Sequence, residues 1–223
     1  LMFLKQPMEK AEKRIRKKRI LLAAAGIALI GIGVSFNAAA ALGNDAVGIV
    51  YDGIRNAANF SPRQLGMASN IVNVVMLLLI FFLDKHYINI GTFMYSIPYG
   101  TIVDLGDRLY HAIFPMQTLP FQIMGAAIGC FLLYVGVAMF IVADIGVDPF
   151  TGIVLIIRDK VKKEYRIVKV CFDVSCILLG VVLGGRLGVI TILTALTAGP
   201  MIQRFADIFR QVSGETDEQK DSR

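Results

Sequence analysis

Charged residues are scarce in this sequence of 223 residues, and those present fall in clusters. Only 18% of the residues are charged, against roughly a quarter in an average soluble domain, while 56% are hydrophobic. Long stretches between the clusters carry no charge. This pattern argues against a water-soluble globular domain and is typical of a membrane protein, in which each span needs about 20 apolar residues.

Cysteine and histidine are also rare. The three cysteines all lie inside apolar segments, which argues against a disulfide framework, and the two histidines, His86 and His111, lie far apart. No metal-type spacing, nucleophile motif or phosphate-cradling glycine loop occurs in the sequence. The sequence therefore predicts a protein that is not an enzyme and that has no cofactor and no metal site.

Positive charge is in excess, with a formal net charge of +6. Much of it belongs to one run within residues 1–19, formed by Lys10, Lys13, Arg14, Arg16, Lys17, Lys18 and Arg19. No aromatic or motif context accompanies the run, so nucleic acid is not an expected partner. We interpret residues 1–19 as a basic cytoplasmic segment that contacts acidic lipid headgroups.

The apolar segments predict an all-α integral membrane protein with six transmembrane helices. We place these spans at residues 20–42, 64–83, 87–103, 121–143, 167–184 and 187–205. Two stretches, 46–58 and 150–161, are too short to cross and are expected to form half helices. The glycine pairs Gly125/Gly129 and Gly180/Gly184 have the spacing that favours close contact with other helices, and the polar tail, 211–223, is expected to be disordered.

The chain resembles itself when it is shifted by 103 residues. Gly43-x-Asp45 then falls on Gly146-x-Asp148, Arg55 on Arg158, Arg63 on Arg166 and Asn70 on Asp173, and, after a four-residue gap, Thr92 falls on Thr191 and Gly100 on Gly199. The repeats are residues 20–110 and 119–210. Three spans per repeat is an odd number, so the second repeat is expected to be inverted in the membrane.

The distribution of Lys and Arg between the spans agrees with this topology. If the N-terminal run is inside, the inside segments also carry Lys85, Arg158, Lys160, Lys162, Lys163, Arg166, Arg204 and Arg210, and the outside segments carry only Arg55, Arg63, Arg108 and Arg186. The positive-inside rule then predicts a multi-pass protein of the cell membrane with both termini in the cytoplasm.

The twin G-x-D breaks and the third helix with its Thr and Gly resemble the bacterial YczE/YitT-like family of small polytopic membrane proteins. The matching elements are Ala41-Leu-Gly-Asn-Asp45, Asp144-Ile-Gly-Val-Asp148-Pro-Phe150 and Ile90-Gly-Thr-Phe93. The sequence departs from the pattern where Thr191 directly follows Val189-Ile190 rather than a glycine, and where no proline directly follows Asp45. The resemblance implies a polytopic fold in the bacterial inner membrane and no particular activity.

The candidate solute-binding residues are polar residues in or beside the spans: Asp148, Asp45, Asp173, Asn70, Asn37, Asn73, Thr92 and Thr191. Asp45 and Asp148 lead, because each follows a glycine that can end a span and precedes a short helix. Each fits a helix N-cap or a carboxylate that a broken helix brings to a central site. Asp173 fits an ion pair with Lys169 or Arg166 equally well. The asparagines also fit hydrogen bonds between helices, and the threonines favour bonds to their own helix.

These features predict a transporter that binds a small polar solute, in particular a cation or an amine-bearing solute, at the interface of the repeats. Acidic candidates outnumber basic ones within the membrane, which favours that class of solute. Two other functions also fit: a substrate-capture subunit that needs energising partner subunits, and a regulatory or scaffolding membrane protein without a solute. A homo-oligomer is a further alternative.

Overall fold

A computed structural model describes the backbone of residues 2–213 and the side chains of residues 16–212. This part of the chain is all-helical, with nine α-helices and two single 3-10 turns at Pro62–Gln64 and Lys85–Tyr87. The helices are α1 (Met2–Ala40), α2 (Ala46–Ala57), α3 (Leu65–Leu83), α4 (Ile90–Ser96), α5 (Tyr99–Ile113), α6 (Leu119–Ala143), α7 (Pro149–Val161), α8 (Tyr165–Val182) and α9 (Val189–Ser213). Of the tail predicted at 211–223, residues 211–213 belong to α9 and the others lie outside the described residues.

Four segments of the described chain are long and apolar enough to cross a membrane: Arg16–Ala40, Pro62–Leu83, Leu119–Ala143 and Val189–Val212. They correspond to the first, second, fourth and sixth predicted spans. Large apolar side chains such as Phe82, Leu178 and Leu196 are exposed on the bundle surface, as expected where lipid is the solvent. The prediction of an all-α membrane protein is confirmed.

The third predicted span, at 87–103, differs from the observed helices. Two helices, α4 and α5, replace it, and they meet at Pro98, whose ring nitrogen has no hydrogen for the helix ladder. Helix α5 continues to Ile113, so Asp104 and Asp107, predicted to follow the span, lie on a helix. The boundary was misplaced because a short apolar run followed by charges also fits an amphipathic helix. The fifth predicted span, at 167–184, corresponds to α8, which contains the ion pair between Lys169 and Asp173.

The most extensive contact between helices joins α1 to α6, and these helices run antiparallel. A Cβ added at Gly26 would lie 2.7 Å from the carbonyl oxygen of Gly136, and one added at Gly33 would lie 2.7 Å from that of Gly129. Real Cβ atoms do not approach an oxygen so closely. Glycine at these positions therefore allows the two backbones to touch.

The other glycines predicted to contact helices behave in two ways. Gly125 packs on the ring of Tyr110, and Gly180 packs on Ile49 of α2. Gly184 lies beyond the end of α8 with φ +91°, in the left-handed region that suits glycine. A Cβ added there would lie 3.4 Å from Asn56 Cβ of α2, so the predicted contact with another helix is confirmed, although Gly184 itself is not helical.

Seven described residues have a positive φ, and six of them form three pairs that are 103 residues apart: Ala41 and Asp144, Gly43 and Gly146, Asn59 and Lys162. The first two pairs lie in the breaks after α1 and α6, and the third pair follows α2 and α7. The backbone thus makes the same turns at equivalent places in the two halves of the chain.

Each break is hydrogen-bonded to the other half of the chain. The amide of Ile190, at the start of α9, donates to the carbonyl of Leu42 at 3.1 Å. The amide of Gly91, at the start of α4, donates to the carbonyl of Ile145, also at 3.1 Å. Leu42 and Ile145 are equivalent under the 103-residue shift, and so are Gly91 and Ile190 once the four-residue gap is applied.

Candidate functional site

Asp45 and Asp148 occupy the N-cap positions of the two short helices. Asp148 Oδ1 accepts hydrogen bonds from the amides of Phe150 and Thr151, both at 3.0 Å. Asp45 Oδ2 accepts one from the amide of Val47 at 3.3 Å. A cap satisfies amides that have no partner within the helix, so the capping interpretation is confirmed for both residues. Capping leaves one carboxylate oxygen of each residue for another role.

At Asp45, the carboxylate oxygen that does not cap the helix is Oδ1. It is buried and has no hydrogen-bond partner. Asp45 lies between α1 and α2, outside the four candidate spans, and burial raises the pKa of its carboxyl to about 6, with the Asp173 carboxylate adding to the increase. A buried acceptor without a donor is unfavourable, and a proton or a cation at Oδ1 would relieve it.

Four aromatic rings from four helices pack together beside these caps: Tyr51 of α2, Tyr95 of α4, Tyr99 of α5 and Phe150 of α7. All four are buried. Tyr95 stacks on Tyr99 with the ring centroids 4.7 Å apart. The Tyr51 centroid lies 5.8 Å from that of Tyr99 and 5.9 Å from that of Phe150. Within this cluster, the contact of Tyr51 with Phe150 joins the two halves of the chain.

Both cap carboxylates are near this cluster. The carboxyl groups of Asp45 and Asp148 each interact electrostatically with the hydroxyl groups of Tyr51 and Tyr99. Aromatic faces and carboxylates both attract positive charge. We call the four rings, the two aspartates and Asn73 the aromatic–carboxylate centre.

Asn73 belongs to this centre through Tyr51. The Tyr51 hydroxyl donates to Asn73 Oδ1 at 3.2 Å, and the Asn73 side chain is fully buried. Its Nδ2 has no hydrogen-bond partner. The centre therefore contains an unpaired donor on Asn73 and an unpaired acceptor on Asp45. A polar ligand with both kinds of group would match them.

Three other predicted site residues have structural partners instead. Asn70 Oδ1 accepts a hydrogen bond from the amide of Gly100 at 2.9 Å and so joins α3 to α5. Thr92 Oγ1 donates to the carbonyl of Val147 at 2.8 Å. Thr92 Oγ1 also accepts a hydrogen bond at 3.2 Å from the amide of Asn89, the N-cap of α4, so it bonds to the start of its own helix as well. Thr191 Oγ1 accepts from the amide of Gly188 at 3.3 Å, at the equivalent helix start.

Asp173 and Asn37 lie apart from the four rings. Asp173 forms an ion pair with Lys169 one turn earlier on α8, which is the structural alternative predicted for it. Asn37 is fully buried in α1, with the thiol of Cys130 3.8 Å from its Oδ1 and no partner for its Nδ2. It lines a cavity of about 10 Å³, which is room for about one water.

Sequence reasoning missed the aromatic residues and one buried ion pair. Asp52 binds Arg55 at 2.7 Å and accepts a hydrogen bond from the amide of Arg186 at 2.8 Å, which ties α2 to the loop before α9. The three-residue spacing of Asp52 and Arg55 was a usable signal for this pair. The rings carry no such local signal, because they come from four separate helices. Among the described residues no cluster of three metal-ligating side chains occurs.

Comparison with known proteins places this arrangement in a family. Residues 17–207 match a family of unknown function, DUF6198. The chain belongs to DUF6198. The chain is also similar to an uncharacterized protein of Haemophilus influenzae, with 24% identity over 195 residues that cover 87% of this chain and 86% of that protein. No solved structure matches this DUF6198 chain. The resemblance to the YczE/YitT-like family stays a prediction.

Proposed function

We propose that this DUF6198 protein is a membrane transporter, not an enzyme, and that it binds a small cation or an amine-bearing solute at the aromatic–carboxylate centre. The observation that carries the proposal is the unpaired, buried Asp45 Oδ1, whose carboxyl group interacts electrostatically with the hydroxyl groups of Tyr51 and Tyr99 in the aromatic cluster. A positively charged group is the ligand that satisfies both a carboxylate and an aromatic face.

The proposal includes two inverted repeats with six spans. The antiparallel contact of α1 with α6, which are equivalent under the 103-residue shift, supports an inverted relation between the halves. The paired turns and the exchanged hydrogen bonds of the two breaks support it further. Many transporters with inverted repeats bind their solute where broken helices meet. Here each break ends in an aspartate that caps a short helix, and both short helices contribute a ring to the aromatic–carboxylate centre. Fold alone does not determine function, so the side chains of the centre carry the argument.

Transport by the purified protein tests the proposal. Proteoliposomes on a solid-supported membrane would be challenged with concentration jumps of Na⁺, K⁺, methylamine, a diamine and tetramethylammonium. We expect a charge movement with at least one of these probes. Asp45→Asn should abolish it, because asparagine caps a helix as well as aspartate but carries no charge.

Asp207→Asn is the matched control. Asp207 lies on α9 with half of its side chain exposed, and its partners among the described residues are Arg210 and Gln203 rather than any residue of the aromatic–carboxylate centre. The control should transport like the parent protein. Full transport by Asp45→Asn would refute the role of this carboxylate, and no current with any probe would favour the substrate-capture or scaffolding alternatives. Copurification with an ATPase complex would then favour the substrate-capture subunit over the scaffolding protein.

A further inference from the structure

A second cavity lies at the break after α6 and is lined by none of the residues of the aromatic–carboxylate centre. It measures about 480 Å³ and opens between the middle of α1, the beginning of α4 and the break after α6. Its lining includes Arg16, Arg19, Asn89 and Asp144 as polar residues, and Ile20 and Ile90 as apolar ones. We call it the basic cleft.

The charge of the basic cleft suits an anion. Among the described residues, the lining contains two guanidinium groups and one carboxylate, an excess of one positive charge. Arginine presents a planar fork of donors that binds two oxygens of a phosphate at once. The Asn89 side chain adds a neutral polar group. A cationic solute would be repelled here, which separates the basic cleft from the proposed solute site.

The position of the basic cleft suits a lipid. The uncharged apolar run of α1 begins at Ile20, directly after Arg16 and Arg19, so the arginines lie at the edge of the apolar part of α1. That is the level at which a bilayer places its phosphates. From the cleft, a stripe of exposed apolar side chains follows α4 with helical spacing: Ile90, Phe93 and Ile97, which are 52%, 47% and 74% exposed. Such a stripe offers an acyl chain a surface directly below the headgroup.

We propose that the basic cleft binds the headgroup phosphate of an anionic glycerophospholipid, with an acyl chain along α4. Basic pockets between transmembrane helices are a recognised way to select anionic lipids. The proposal does not depend on transport, since none of the residues that line the basic cleft belongs to the aromatic–carboxylate centre.

The test compares two double variants of the full-length protein in detergent. Arg16→Gln/Arg19→Gln removes two charges from the basic cleft. Lys17→Gln/Lys18→Gln removes two charges from the same turn of α1, but these exposed side chains do not line the cleft. Binding of phosphatidylglycerol and of phosphatidylcholine would be measured by native mass spectrometry and by the shift in melting temperature.

The parent protein and the lysine variant should bind phosphatidylglycerol in preference to phosphatidylcholine, and the arginine variant should bind phosphatidylglycerol roughly tenfold more weakly. Equal weakening by both variants would overturn the proposal, because the effect would then be the general attraction of a basic segment to an anionic surface. Equal binding of the two lipids would also overturn it. Displacement of the lipid by millimolar inorganic phosphate would overturn the lipid assignment in favour of a free anion.

Discussion

Gly26 and Gly136 pack backbone against backbone, and a Cβ on either residue would lie 2.7 Å from the carbonyl oxygen of the other. The pair Gly33 and Gly129 makes the same kind of contact one heptad away. Residues 26 and 129 are 103 positions apart, and so are 33 and 136, so the shift that aligns the halves exchanges the two contacts. We expect such an exchange if the proposed inverted repeats are related by a two-fold axis between α1 and α6.

The first prediction follows from this exchange. Gly26→Ala and Gly129→Ala should each lower the free energy of unfolding by about 1–3 kcal/mol, because the added methyl group forces the helices apart. Gly199→Ala is the control: nothing lies within 4 Å of a Cβ at that position, so the variant should be as stable as the parent or gain up to about 1 kcal/mol of helix propensity. Thermal unfolding in detergent measures all three, and a stable Gly26→Ala would contradict the close contact.

The buried ion pair of α2 gives the second prediction. Asp52→Ala should destabilise the protein by about 3–5 kcal/mol, since it leaves the guanidinium of Arg55, which is only 11% exposed, without its partner. Asp207→Ala, which breaks an exposed pair with Arg210, should cost at most about 1 kcal/mol. Asp52→Ala/Arg55→Met should recover part of the lost melting temperature. Equal melting of the two single variants would show that the Asp52 pair is solvated.

The third prediction concerns pH. Burial raises the pKa of Asp45 in the folded protein to about 6, above its ordinary value of 3.8, so the folded state binds this proton more tightly than the unfolded state does. The parent protein therefore loses stability as the pH rises from about 4 to 6. Asparagine at this position keeps the cap and never ionises. Asp45→Asn should melt higher than the parent at pH 7.5, with a gain that shrinks towards pH 4.5.

A gain that is independent of pH would show that the Asp45 carboxyl does not titrate in this range. The same proton should compete with a cationic ligand. Any probe that binds the parent at the aromatic–carboxylate centre should therefore bind more weakly as the pH falls through 6, and isothermal titration at pH 5 and pH 8 would measure this difference.

The fourth prediction is the topology. Lys163, between α7 and α8, should be cytoplasmic, and Met116, between α5 and α6, should be outside. Single cysteines at these exposed positions, in a background without Cys130, Cys171 and Cys176, would be treated with an impermeant maleimide in intact cells. We expect labelling of Met116→Cys alone. Labelling of both or of the lysine position alone would contradict the inverted arrangement.

The features that could be predicted from the sequence are those with a local cause. Gly43 and Gly146 indicated the breaks because a positive φ suits glycine, and Asp45 and Asp148 indicated the caps that follow. Long uncharged runs predicted four spans directly, because crossing a bilayer requires a fixed length of apolar chain. The boundary at Val103 failed because α5 buries one face and exposes another, so its apolar residues are not continuous in sequence.

The aromatic–carboxylate centre could be predicted only in part. Asp45, Asp148 and Asn73 were candidates because polar groups among apolar residues are rare. Tyr51 and Tyr99 were not, because an aromatic residue in an apolar segment is ordinary until its neighbours from other helices are known. Their meeting depends on tertiary packing, which carries no short-range pattern.

The exchanged hydrogen bonds at the breaks also constrain the order of events during synthesis. A chain is made and inserted from its N-terminus, so Leu42 reaches the membrane long before Ile190, the donor to its carbonyl, has been translated. Until α9 is inserted, the carbonyl of Leu42 lacks its native donor and must remain unpaired or accept a hydrogen bond from water or from another protein. Insertion of α9 therefore completes the hydrogen bonding of a turn that was made near the N-terminus. A ribosome stalled before α9 would hold a first half that is inserted but whose break after α1 lacks this hydrogen bond.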